Sequence, residues 1–71
     1  MTNEQFEALV KLMRGDLETF GNQAARLVLV DGLSQADAMR KTGASRASTN
    51  NAVRRYKDSD ALMRRVYGAT L

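Results

Sequence analysis

The chain has 71 residues, no cysteine, histidine or proline, and a formal net charge of +3. A single domain of that length buries only about 60% of the surface its unfolded form exposes, and the composition excludes disulfides and a zinc site of the usual kind. No apolar run approaches the roughly 20 residues of a membrane span and nothing resembles a signal peptide, so the cytoplasm is the expected compartment.

The segment "TNEQFEALVKLM" opens on Thr2 with Gln5 three residues on, the spacing of a capping box. Phe6, Leu9, Val10 and Met13 follow at i, i+3, i+4 and i+7, which predicts one apolar helix face, with Gly15 ending the helix. A second helix is expected from Asp16 or Leu17, with Leu17, Phe20, Ala24, Leu27 and Val28 at helical spacing. "VDG" marks its end, Gly32 being suited to a left-handed position. Ser34 is placed to cap a third helix over 35–42, with Asp37 in the first turn where the helix dipole favours an anion.

A tight Gly43-Ala44-Ser45 connection follows, and Ser45 is placed to cap a fourth helix over 46–57. Asp58 or Ser59 can cap a last short helix, "DALMRRVY", with Leu62, Val66 and Met63 on one face and Gly68 closing it. Tyr56 and Tyr67 are expected as rings at the edge of the core, and Met13, Met39 and Met63 as core filler. The expected fold is all-α: one domain over 1–71, a compact bundle of about five short helices containing a helix-turn-helix at about 35–57.

Charge is distributed unevenly along these elements. Residues 1–39 carry a net −3 and residues 40–71 a net +6. A polyanion is the natural partner for such a basic half, although a charge run is often only a solvated face.

The fourth helix is unusual in being built from Ser, Thr and Asn, which compete with the backbone for hydrogen bonds. Its 3.6-residue period places Thr49, Ala52, Val53 and Tyr56 toward a core. Ala47, Asn50, Asn51 and Arg54 fall on the opposite side, with Arg46 at the N-terminal end and Arg55 on a flank. A recognition helix presents its N-terminal residues to base edges. Arg matches the O6/N7 pair of guanine and Asn the N6/N7 pair of adenine, while a small residue permits close approach and contact with a thymine methyl. Arg46, Ala47, Asn50 and Asn51 are therefore the candidate base readers. Gln35, Ser45, Ser48, Arg54, Arg55 and Lys57 suit the phosphate backbone. Each has an ordinary reading beside it: Ser45 as a helix cap, the Asn pair and the Arg and Lys residues as solvated surface, as also for Arg40, Lys41, Arg64 and Arg65.

Residues 2–56 resemble the helix-turn-helix domain of the KorA/TrfB family of plasmid repressors. The matching pieces are "TNEQF", "VLVDG" at 28–32, "QA" at 35–36, Gly43, Arg46 and "AVRR" at 52–55. The resemblance implies a sequence-specific repressor of plasmid promoters that binds palindromic operators as a dimer. It also implies that an Arg just after the turn and a Gln five residues later read bases; here those positions hold Arg46 and Asn51. Asn is one methylene shorter than Gln, so a different operator is expected. Family members carry a further C-terminal dimerisation region that these 71 residues lack. The expectation is that "DALMRRVYGATL", with a contact helix at 59–68, supplies a smaller dimer contact, or that the protein is a monomer at low concentration. Helix-turn-helix units also usually carry apolar residues where Thr42 and Thr49 stand, and a small residue where Met39 stands.

The partner expected on this reading is double-stranded DNA, with no cofactor. The alternative is a small helical interaction module or co-regulator that does not bind DNA specifically; a third reading is non-specific or RNA binding through the basic half. No Gly-rich phosphate loop and no convincing carboxylate pair points to an enzyme, and Asp58 and Asp60 fall on different sides of any helix.

Overall fold

The computed structural model describes residues 1–68 and contains four helices: α1 (Asn3–Leu12), α2 (Phe20–Leu29), α3 (Gln35–Thr42) and α4 (Arg46–Tyr67). Among the described residues there is no strand, in keeping with the all-α expectation.

Both halves of the expected capping box form in α1. The Thr2 N–H donates to Gln5 Oε1 at 2.8 Å, and the Gln5 N–H donates to Thr2 Oγ1 at 3.1 Å. Phe6, Leu9 and Val10 point into the core, but Met13, at the C-cap, is exposed. The helix ends before Gly15. Arg14 takes the left-handed conformation (φ 56°), its N–H bonds Lys11 O, and the Gly15 N–H bonds Val10 O at 2.8 Å. This is the paired hydrogen-bond pattern of a Schellman ending, with Arg where glycine is usual.

α2 begins later than the periodicity predicts. Asp16 Oδ1 accepts the Glu18 N–H and Asp16 O accepts the Asn22 side-chain amide at 2.7 Å, so residues 15–19 are held as a turn. Thr19 then caps the helix by accepting the Asn22 N–H. Leu17 and Phe20 consequently stay exposed. Past its C-cap at Val30, Gly32 takes φ 77° and the Leu33 N–H bonds Leu27 O.

α2 is the central element and touches each of the other three helices. Its small residues permit this: Ala24 and Ala25 are fully buried, and a Cβ on Gly21 would lie 3.1 Å from Ser48 O on α4. Ala24 packs with Ala38 and Ala44 to fix α3 and its turn. Ala25 joins the main core of Phe6, Leu9, Val10, Ala52, Val53 and Tyr56. The Phe6 and Tyr56 rings meet edge to face, centroids 5.3 Å apart.

α4 runs on for 22 residues, so the expected fourth and fifth helices are one. Asp58 and Ser59 do not act as caps. The Ser59 hydroxyl donates instead across to Met13 Sδ, and Asp60 pairs with Arg64 one turn on at 2.9 Å. Beyond Tyr56 the helix runs past the core, which leaves Leu62, Val66 and Tyr67 exposed and Met63 partly buried. Tyr67 is thus not a core-edge ring. Residues 69–71 of the expected contact segment lie outside the described residues.

Candidate nucleic-acid interface

Local chemistry fixes how α3 and α4 meet. Ser34 caps α3 by accepting the Asp37 N–H, and Asp37 pairs with Arg40 on the helix surface. Gly43 closes the helix at φ 79°, its N–H bonding Met39 O at 2.8 Å. Thr42, where an apolar residue is usual, works as part of the turn: its hydroxyl donates to Ala38 O at 2.7 Å and accepts the Ala44 N–H. Ala44 is buried beneath the turn, and Ser45 caps α4 by accepting the Ser48 N–H at 3.0 Å. The two helices are therefore joined by three residues whose backbone is held at both ends.

The core side of α4 is as expected: Thr49, Ala52, Val53 and Tyr56 are all buried. Ala47, Asn51 and Arg54 stand exposed on the far side. At about 100° per residue, Arg46, Asn50 and Lys57 fall on the flank toward α3, and Ser48 and Arg55 on the other. Arg46 and Asn50 line a cleft of about 370 Å³ together with Gln35, Ala36 and Met39 of α3. Ser48 lies against Gly21 of α2 through its Cβ. The candidate residues thus divide into an open face (Ala47, Asn51, Arg54), a cleft (Gln35, Arg46, Asn50) and two flanks. Ser45 is a cap, yet an accepting hydroxyl keeps its own O–H free to donate.

Met39 is half-buried and lines this cleft rather than filling the core. Neither it nor Ala36 was singled out by sequence periodicity. The signal present was the large residue at a position where small ones are usual, four before the turn glycine.

The electrostatics are one-signed. From Ala38 to Lys57 there are six basic residues and no acidic one. Among the described residues Arg46, Arg54, Arg55 and Lys57 make no ion pair within the chain. Four unpaired cations along the first half of α4 raise the local concentration of a polyanion. No group of His, Cys, Asp or Glu among the described residues could hold a metal ion. No helix among them is long and apolar enough to cross a membrane.

A family model described as "TrfB plasmid transcriptional repressor" matches residues 1–66, nearly the whole chain. No curated protein and no solved structure matches at a comparable standard.

Proposed function

The chain belongs to the family of TrfB plasmid transcriptional repressors, and we propose that it binds a palindromic duplex operator as a homodimer. In this reading α3 and α4 form a helix-turn-helix over 35–57, the N-terminal half of α4 enters the major groove, and the protein acts in the cytoplasm. Arg46 reads guanine, Asn50 and Asn51 read adenine, and Ala47 allows close approach of the helix. Gln35, Ser45, Ser48, Arg54, Arg55 and Lys57 hold the phosphate backbone and set the register. The role needs no chemical step and no cofactor.

The observation that carries the reading is the far face of α4. Exposed Ala47, Asn51 and Arg54 adjoin Arg46 and Asn50 in a stretch free of acidic residues, directly after a three-residue turn hydrogen-bonded at both ends. A helix that only solubilised the fold would gain nothing from short amides backed by unpaired cations. The test is selection from random duplex DNA at roughly 150 mM salt, repeated with Arg46→Ala. A palindromic consensus that blurs in the variant supports the proposal. A wild-type chain that enriches no sequence overturns it, in favour of an interaction module or a non-specific basic binder.

A further inference from the structure

The cleft between α3 and α4 is lined by side chains of two kinds. On α3, Gln35, Ala36 and Met39 share one helix face; on α4, Arg46 and Asn50 stand one turn apart. Gln35, Arg46 and Asn50 bring strong hydrogen-bonding groups. Ala36 has no polar side-chain atom, and the Met39 thioether is only a weak acceptor.

Met39 does not hold the fold together. It belongs to neither buried cluster, and the residue that anchors α3 is its neighbour Ala38, fully buried with Ala24 and Ala44. The Met39 carbonyl serves the turn by accepting the Gly43 N–H, which a residue of any type could do. Its side chain, flexible and polarisable, is half-buried in the cleft beside Arg46 and Asn50. An apolar side chain kept outside the core, between polar ones, has part of its burial still to gain.

We propose that Met39 is a specificity-determining residue that packs on the 5-methyl group of a thymine next to the base read by Arg46. The inference rests on the operator reading above and deepens it. The chemistry of the major groove selects the ligand. The base-pair edges there carry hydrogen-bond donors and acceptors, and the thymine methyl is the one apolar group that projects among them. A thioether set against N7, O6 or an amino group would strip that group of water without returning a hydrogen bond of comparable strength. A phosphate would lose more, because it is charged. Against a methyl, the same side chain removes apolar surface from water on both partners.

Arg46 and Asn50 fix the location. They place the cleft against the first turns of α4, the part of a recognition helix that meets base edges. Ala47 stands on the open face rather than in the cleft, so a methyl that it touches lies at a different base pair. Gln35, at the N-terminus of α3, keeps its phosphate role at the edge of the same cleft.

The test is a methyl scan of the selected operator. Each thymine is replaced in turn by deoxyuridine, symmetrically in both half-sites, and the dissociation constant is measured by fluorescence anisotropy for the full chain and for Met39→Ala. Deoxyuridine keeps every hydrogen bond of the base pair and removes only the methyl. For the wild type, one position adjacent to that blurred by Arg46→Ala is expected to weaken binding about fourfold per half-site, the worth of one buried methyl. Met39→Ala is expected to bind the thymine and deoxyuridine operators equally at that position and to keep its affinity for random duplex. Met39→Leu, apolar and of similar volume, is expected to restore most of the difference. A residue that merely oriented Arg46 would not couple to a methyl in this way.

A wild type indifferent to every thymine methyl, or a methyl effect that survives unchanged in Met39→Ala, overturns the inference and leaves the operator reading standing. A chain that selects no operator overturns both, so the two failures are told apart. The wild-type scan alone can overturn the inference, whether or not Met39→Ala folds.

Discussion

A Cβ placed on Gly15 would lie 2.7 Å from the hydroxyl oxygen of Tyr56, closer than any real contact allows. Tyr56 is fully buried, and its hydroxyl has no hydrogen-bond partner. Glycine at this position is therefore explained by clearance for the ring that joins α1 to α4, and the left-handed bend at the end of α1 falls instead on Arg14.

Gly15→Ala is accordingly expected to cost about 1–3 kcal/mol through overpacking. In a Tyr56→Phe background, where the obstructing oxygen is gone, part of that cost should vanish, the remainder being the close approach to Val10 Cγ1 at 3.0 Å and Val10 O at 3.3 Å. Urea unfolding of the two single variants and the double variant measures the coupling. Additive losses would show that Gly15 is required for some other reason.

Thr49 is buried in the first turns of α4, and its hydroxyl also lacks a partner. An unsatisfied buried hydroxyl costs about 1–3 kcal/mol. Thr49→Val, nearly the same shape but apolar, should stabilise the fold by roughly 1 kcal/mol, a rise of about 4–8 °C in Tm. A Tm unchanged or lowered would mean that the hydroxyl has a partner in solution.

Arg14 adopts φ 56° at the close of α1. A non-glycine residue there pays about 1–2 kcal/mol relative to glycine, offset in part by the greater freedom of glycine in the unfolded chain. Arg14→Gly should therefore stabilise by up to about 1 kcal/mol, measured by thermal melting. Arg14→Val, branched at Cβ, should destabilise.

What was legible in the sequence was mostly what one or two neighbouring residues decide. Thr2, Ser34 and Ser45 each cap the helix they precede, because a hydroxyl there meets the first free N–H groups whatever the tertiary context. The buried stripe of α4 followed from period alone. The start of α2 was hidden by competition: Leu17 and Phe20 keep helical spacing, but the Asp16 carboxylate and carbonyl hold the chain in a turn, and Thr19 caps later. The continuity of α4 was hidden because Asp58 and Ser59 are good caps only where the chain leaves the helix. Here it stays helical, with Ser59 donating to Met13 Sδ and Met63 one turn on packed against the core. The cleft between α3 and α4 was invisible for a similar reason, since no single-helix period places Met39 beside Arg46 and Asn50.

Within the proposed interface, Arg46 and Arg54 should behave differently, since one lines the cleft and the other stands on the open basic face. Arg46→Ala should cost about 1–3 kcal/mol on the selected operator and little on random duplex, so the ratio between them falls. Arg54→Ala should weaken both alike and reduce the slope of log K against log salt by about 1. Fluorescence anisotropy across a salt series distinguishes the two. Equal losses from both variants would make α4 a non-specific basic helix.

Asn51 gives the sharpest case, because it is exposed and nothing in the fold depends on its length. Asn51→Gln should leave the melting temperature unchanged and extend the amide's reach by one methylene. An amide on Gln still pairs with adenine N6/N7, so the chemistry of recognition is kept while its position in the groove moves. Repeating the duplex selection should then change the preferred base at one position, mirrored in each half-site, and leave the positions read by Arg46 untouched. A consensus unaltered at every position would remove Asn51 from the base-reading set; one altered everywhere would mean that this residue positions the whole helix.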